Sequence, residues 1–397
     1  MVYSCFFLKG EKPMPWRETN VMSQKVEFVI RAKLETNFSR LCEEFEISRP
    51  TGYKWLQRYE EAGSFNGLRE LTRRPRRSPS KTALGLESRV IDLRIKYGWG
   101  ARKLNVLLER EEVELCVSTI NRIIKRNDLL EPDECHKPAV KRFEMDACNK
   151  LWQMDFKGEW KIDGGWCYPL SILDDHSRYA VGLYPMRNQS YDGVYSSLRD
   201  AFGKHGIPDA MLMDHGVPWW NGQNRHGLTR LGVQMIKQGI TLIFSEMGHP
   251  QTQGKVERFH RTLKKSIDRK GRPKKFEVCC ERLREFCYDY NHVRPHEALA
   301  MEVPARKYVR SLKEYNPDPP DWEYPNGSRI CKVNDAGLIC YCNRQYFAGT
   351  VLAGERVRMI EIDGILLVNF RHMFVREIDP ETGRTTAVVL PVSGHQV

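Results

Sequence analysis

Nowhere in the 397 residues is there a run approaching the roughly 20 apolar positions that a membrane-spanning helix requires. The opening stretch MVYSCFFLKGEKPMPW is too short and too soon charged for a secretory signal. These two lacks leave a cytoplasmic protein as the expectation, with no membrane partner. The 12 cysteines include no CxxC pair, the closest groupings being Cys279-Cys280 and Cys340-x-Cys342. A structural zinc site is therefore not expected, and the thiols are read as buried or incidental in a reducing compartment. Acid is scarcer than base, 51 side chains against 63, for a net charge of +12 and a pI near 9.1. That excess is moderate over this length, so its clustering decides whether the partner is a polyanion. The length itself exceeds what one core usually fills, and several domains are expected.

Helical periodicity comes first. In QKVEFVIRAKL, residues 24–34, Val26, Val29, Ile30 and Leu34 fall on one face. A second helix is expected from Phe38 to about Phe45. A third follows in ISRPTGYKWLQRYEEAG, with Ser48 as N-cap, Pro50 in the first turn and Gly63 after the last. Three short helices with a tight joint over residues 21–63 read equally as an ordinary three-helix bundle or as a helix-turn-helix unit, the latter with Arg49, Thr51 and Lys54 turned toward DNA and Trp55 and Tyr59 packed inward. A second unit is expected over 82–130. There Ser118 can cap a helix that buries Ile120, Ile123 and Ile124 and leaves Asn121, Arg122, Lys125 and Arg126 outside. Between the units, at 64–81, lies LTRRPRRSPSK, whose prolines forbid a continuous helix and whose Arg73, Arg74, Arg76 and Arg77 suit a strap along phosphates. The two bundles with their strap are expected to fold without help from the rest of the chain.

After a second linker, 131–149, the period becomes alternating. LWQMDFKGEW, WCYPLSILDD and RYAVGLYPM read as three successive strands, with Asp163-Gly164-Gly165 and residues 174–177 as turns. A helix near 190–205, the strand DAMLMDHG, a helix near 226–237 and the strand ITLIFSE complete a mixed sheet covered by helices. From Gly327 to Ile378 another run of short strands, with an Asp363-Gly364 hairpin signal, reads as a small SH3-like β-barrel.

Three acids stand out. Asp155 lies inside an apolar strand, Asp214 ends another, and burying either is costly unless it binds something. Glu257 opens the helix of GHPQTQGKVERFHRTLKK, where Val256, Phe259, Leu263 and Ile267 form a buried stripe and Arg261, Lys264 and Lys265 share the other side with the acid. Asp174 and Asp175 are read as turn residues that cap local N–H groups. His249 and His260 are read as solvated, and Arg294 and His296 of YNHVRPHEAL as bracing the core.

The ordered motifs LWQMDFKG, ILDDHSRYAVG, MDHG, GHPQTQGKVERFHRTLKK and YNHVRPHEAL, from Leu151 to Leu299, resemble the integrase core of the DDE insertion-sequence transposases that are similar to retroviral integrases. The resemblance implies a multidomain chain: two helix-turn-helix units, an RNase H-like mixed-sheet core over 150–300 and a C-terminal barrel over 326–380. It assigns Asp155, Asp214 and Glu257 as catalytic acids holding two Mg²⁺ ions, with Mn²⁺ as a possible substitute. It implies a DNA transposase that recognises terminal inverted repeats, hydrolyses 3′ ends and transfers them to target DNA, as a homo-multimer on DNA at the bacterial nucleoid. Met14 is the expected natural start. Two departures stand: His215-Gly216 replaces the usual Asn-Gly, and the 43 positions from Asp214 to Glu257 exceed the retroviral spacing. The rival readings are a DNA-binding regulator or repressor with an inert core, and a structure-selective nuclease of the same fold.

Overall fold

The computed structural model describes residues 21–70, 82–130, 144–221, 227–244 and 254–391. The chain divides into two compact units, residues 1–81 and 82–397.

In the first unit, helices α1 (Val21–Leu34), α2 (Phe38–Glu44) and α3 (Arg49–Ala62) enclose Phe28, Val29, Leu41, Cys42, Trp55 and Leu68. Ser48 caps α3 by accepting the Thr51 N–H at 3.3 Å, Pro50 sits in its first turn, and Gly63 ends it in the left-handed region at φ 60°. The buried face of α1 is not the expected one: Ile30 is 44% exposed and Leu34 78%, because Phe28 and Val29 fill the core. Gly52 lets the helices close. A Cβ there would meet the Cys42 sulfur at 2.8 Å and the Phe28 ring at 2.9 Å.

The second unit begins with a bundle of α4 (Leu84–Tyr97), α5 (Ala101–Arg110) and α6 (Val117–Arg126). Ile120, Ile123 and Ile124 of α6 pack on Val90, Leu93, Leu104 and Leu108, as their periodicity requires. Ser118 is not the N-cap. The helix starts two residues earlier than a Ser118 cap would set it, so Cys116 takes the extended cap conformation and makes no side-chain cap bond. This bundle is seated on the rest of the unit. Arg110 donates to the Val293 carbonyl at 3.0 Å, Arg269 donates to the Tyr97 carbonyl at 2.8 Å, and Val293 packs against the bundle core.

A mixed sheet follows. Strands β1 (Leu151–Phe156), β2 (Trp160–Ile162), β3 (Gly165–Asp174) and β4 (Ala180–Met186) are antiparallel neighbours in the order β2 and β4 on β3, then β1. Beyond β1 come β5 (Ala210–Met213) and β8 (Thr241–Phe244), both parallel to it, with the small pair β6 (Trp220–Asn221) and β7 (Gly227–Leu228) between them in sequence. Trp152 and Met154 of β1 face helices α7 (Tyr191–His205) and α8 (Arg230–Lys237). Successive strand side chains alternate, so Gln153 and Asp155 point to the opposite face. On that face α9 (Gly254–Arg269) and α10 (Phe276–Tyr288) bury Phe259, Leu263, Ile267, Leu283 and Phe286 against Leu173 and Leu183.

The C-terminal part is an antiparallel sheet of β9 (Arg329–Lys332), β12 (Arg356–Ile362), β13 (Ile365–Phe370), β14 (Met373–Ile378) and β15 (Thr385–Pro391), accompanied by the hairpin β10 (Leu338–Tyr341) and β11 (Arg344–Phe347). Asp363 and Gly364, at φ 51° and 79°, make the two-residue β12–β13 turn. The fifth strand, β15, extends this sheet beyond residue 380 and runs alongside β7 and β8. One hydrophobic cluster continues from Trp152 and Phe202 into Val357, Val368 and Phe370. Arg371 ties the two parts, donating to the Lys237 carbonyl at 2.8 Å and the Pro320 carbonyl at 2.9 Å.

Candidate catalytic centre and nucleic-acid contacts

The parallel register of β1 and β5 sets Gln153 opposite Leu212. Two residues further on, Asp155 comes level with Asp214 at the carboxyl edge of the sheet, on strands about 4.8 Å apart. Asp214 is held by two donors to one oxygen: the Gly216 N–H at 2.9 Å and the Trp219 indole N–H at 2.5 Å both reach Oδ1. Trp219 is fixed in turn by stacking on Phe156 at 5.3 Å. Gly216 has to be glycine for this approach, since a Cβ would stand 2.8 Å from Oδ1. His215, the departure from the family pattern, packs its ring on Trp220 and Phe244 at 5.0 and 5.5 Å, away from the carboxylate's two donors.

Glu257 sits in the first turn of α9, and the start of that helix is pinned to the sheet. Lys255 reaches Asp175 Oδ2 at 2.5 Å, and Asp175 Oδ1 accepts from Gln153 Nε2 at 2.8 Å, so an ion pair and an amide join β1 to the helix two residues before the acid. Asp174 accepts from the Asn149 N–H at 2.7 Å and from the Ser177 N–H at 2.8 Å. Asp174, the last residue of β3, caps one local N–H as expected, that of Ser177, whereas Asp175 does not cap its turn and instead accepts from the Met145 N–H, Gln153 and Lys255.

One residue of the site was misread. His260 is buried, not solvated, and its Nε2 is 2.9 Å from the Ser171 hydroxyl. Ser171 is the cross-strand partner of Asp155, and His260 Nδ1 stands 3.7 Å from Asp155 Oδ2. Burial, reinforced by Lys157, pushes the imidazole down to about 3, so it is neutral and the contact with Asp155 is not an ion pair. Nothing in a lone histidine on a basic helix signals this; only the three-residue step from Glu257 and the β1–β3 register bring it over Asp155.

Electrostatically the three acids form one group. Burial first, then the charge of Asp214, and further the charge of Glu257 push the Asp155 carboxyl up to about 7. They do not converge on a point: among the described residues no three His, Cys, Asp or Glu side chains stand close enough together to hold one ion. Crowded carboxylates whose repulsion Lys157 offsets only in part fit a divalent metal, and a donor set of oxygen alone suits Mg²⁺ or Mn²⁺.

Of the expected nucleic-acid contacts, Arg261, Lys264 and Lys265 are exposed on α9. Arg49 and Lys54 are exposed on α3, whereas Thr51 is half-buried with its hydroxyl 2.9 Å from that of Ser48. Asn121, Arg122 and Lys125 line the outer face of α6, and Arg122 donates to the Thr119 hydroxyl at 3.1 Å. Arg73, Arg74, Arg76, Arg77 and His249 lie outside the described residues. His296 packs edge-on to Tyr290 at 4.6 Å, the bracing role expected of it.

Residues 146–240 and 238–304 each match a family model described as an integrase core domain, and residues 51–124 match a homeodomain-like domain. The chain is 25% identical over 198 residues to the Gag-Pol polyprotein of baboon endogenous virus (strain M7) and 24% identical over 194 to the Pro-Pol polyprotein of simian foamy virus type 3 (strain LK3). Each alignment takes in 48% of this chain but only 11% and 15% of those polyproteins. A solved HTLV-2 integrase catalytic core domain in complex with magnesium is 12% identical, with 41% of this chain and 99% of that one covered at a TM-score of 0.32. Residues 146–304 are an integrase core domain. The chain joins that core to a helical region, of which residues 51–124 match the homeodomain-like model, and to a C-terminal antiparallel sheet.

Proposed function

We propose that this protein is a DDE transposase that binds the terminal inverted repeats of an insertion sequence, hydrolyses their 3′ ends and joins them to target DNA. The observation that supports it best is the meeting of Asp155 and Asp214 at one sheet edge beneath a helix whose first turn carries Glu257. Asp155, Asp214 and Glu257 would hold Mg²⁺, which supplies activation of the attacking oxygen and stabilisation of the leaving one in an in-line displacement at phosphorus. Gly216 and Trp219 orient Asp214 through Oδ1. Lys255, Asp175 and Gln153 fix the height of the Glu257 turn above β1.

In the first step a water oxygen bonds to phosphorus, the 3′ oxygen leaves and takes a proton, and a free 3′-OH results. In the second that hydroxyl attacks a target phosphodiester, and a target 3′-OH is released. Arg261, Lys264 and Lys265 hold backbone phosphates beside the acids. Arg49, Thr51 and Lys54 of α3 and Asn121, Arg122 and Lys125 of α6 read bases, with Arg73, Arg74, Arg76 and Arg77 following the backbone between them. Two ends must be held at once, so the active form is a homo-multimer assembled on DNA.

The test uses full-length protein and duplexes taken from the DNA on either side of the coding region. Binding in preference to scrambled duplex, with Mg²⁺-dependent nicking at one position that Asp155→Asn abolishes, is the expected result. Preferential binding with no nicking by the wild type would favour the repressor with an inert core. Nicking indifferent to end sequence would favour the structure-selective nuclease.

A further inference from the structure

Three cations stand together where the α4–α6 bundle meets the catalytic sheet, and the fold gives them too little negative charge. Lys103 of α5 has a side chain only 18% exposed, and among the described residues its ion-pair partner is Glu297 at 3.5 Å. Arg294 lays its guanidinium over Trp99 at 5.6 Å, and among the described residues its buried Nε has no hydrogen-bond partner. Arg258 follows Glu257 on α9 and is exposed. At about 100° per residue, Arg258, Lys265 and Arg269 fall within about 20° of one line along α9. Arg269 on that line already grips the end of α4 at the Tyr97 carbonyl, so this face of the helix is turned to the bundle.

We infer that Lys103, Arg258 and Arg294 form a seat for one phosphate of the DNA backbone, placed between the second reading bundle and the catalytic centre. A buried cation with no adequate counter-charge, beside an orphaned guanidinium N–H, is the arrangement that an anion completes. The mutual repulsion is visible on Lys103, which burial first and then Arg294 push down to about 8. Nearby His296 adds no charge, since burial and Arg294 hold it down at about 3. A phosphate seated here lies beside the residue that follows Glu257, and so fixes the distance along the DNA from the bases read by α6 to the bond that is cut. This rests on the reading of the protein as one that processes DNA ends.

The experiment compares wild type, Lys103→Met, Arg258→Gln and the double variant. In wild type, inorganic phosphate is expected to raise the melting temperature above that in chloride at matched ionic strength. Lys103→Met should raise it in chloride alone and remove the phosphate effect. For a duplex of unrelated sequence, the slope of log affinity against log salt should fall by about one unit for Arg258→Gln and about two for the pair. Arg258→Gln, on an exposed position, keeps the test decisive if Lys103→Met folds poorly. Unchanged slopes overturn the proposal, and if inorganic phosphate still stabilises, they show a seat for free phosphate and not for DNA. Mg²⁺-dependent nicking is scored separately: altered slopes with no nicking by wild type would overturn the enzyme reading and leave the seat in place.

Discussion

Asp155 is the residue on which stability and chemistry pull in opposite directions. Its carboxyl, ordinarily near 3.8, is raised to about 7 by burial and by its two acidic neighbours. Between those values the folded state holds a proton that the unfolded state has released, so the stability of metal-free protein falls as pH rises through that window, and is lowest above about 7. The raised value corresponds to at most about 4 kcal/mol. Asp155→Asn should therefore melt higher than wild type at pH 8 in a chelator, show little difference at pH 4, and cut nothing. Added Mg²⁺ should stabilise wild type and not the variant. A wild type whose melting temperature does not fall between pH 5 and pH 8 would contradict the crowded-acid description. His260 tests the same site from behind. Its bond to Ser171 sets the β3 neighbour of Asp155 against α9, so His260→Ala should raise the Mg²⁺ needed for half-maximal cutting by roughly tenfold or more, as loss of a ligand-orienting group commonly does. A role in packing alone would lower the melting temperature and leave the Mg²⁺ requirement unchanged. Asp155 and Asp214 stood out in the sequence because a carboxylate inside or at the end of an apolar strand demands an explanation, whereas Glu257, on a basic helix, stood out through the motif that surrounds it. His260 was not, since its environment depends on a cross-strand register that one strand's sequence does not contain.

At the scale of elements, periodicity told most where an element is amphipathic with one partner. The α9 stripe of Val256, Phe259, Leu263 and Ile267 is buried as expected. On α1 the stripe rotated, because Phe28 offers more apolar area than Ile30 and the two cannot both face inward. On α6 the cap moved from Ser118 to Cys116, a shift of start that either sequence position allows and only the bundle packing decides. The turn after β5 carries a prediction of its own. Gly216→Ala sets a methyl 2.8 Å from Asp214 Oδ1 and displaces a carboxylate whose other donor, Trp219, is fixed by stacking. A misplacement of about 1 Å can cost on the order of a hundredfold in rate. Cutting should fall by about that factor while end binding and melting temperature stay near wild type; a drop in melting temperature that accounts for the lost activity would count against it. On the far side of the site, Arg261→Ala with Lys264→Ala should lower the salt slope of duplex binding by about two units. An unchanged slope would make that stripe a solvated face.

For the whole molecule, the succession of helical, mixed-sheet and antiparallel-sheet parts was readable from changes of period, but the way they join was not. Residues 82–130 look in sequence like the twin of residues 21–63, two bundles on one strap. In the fold, the second bundle belongs with the mixed sheet, because its α4 end receives Arg269, its α5 end donates to the Val293 carbonyl, and Val293 enters its core. These contacts join positions separated by well over 150 residues, and no local pattern announces them. The C-terminal sheet is joined in the same manner, through a shared cluster and Arg371. The consequence is a division of the chain near residue 81 and not near 130. A fragment of residues 21–81 should melt cooperatively by itself, since Phe28, Val29, Leu41, Trp55 and Leu68 already close its core. A fragment of 82–397 should unfold in one transition that includes the second bundle. In contrast, 82–130 alone loses the partners of Arg110 and Tyr97 and the Val293 side chain that packs on its core, and should show amide hydrogen exchange on α4–α6 faster than in 82–397 by an order of magnitude or more, the effect of about 1.4 kcal/mol of lost docking. Equal protection of α4–α6 in the two fragments would mean that the bundle is an independent module, and that reading and cutting are coupled by the DNA alone.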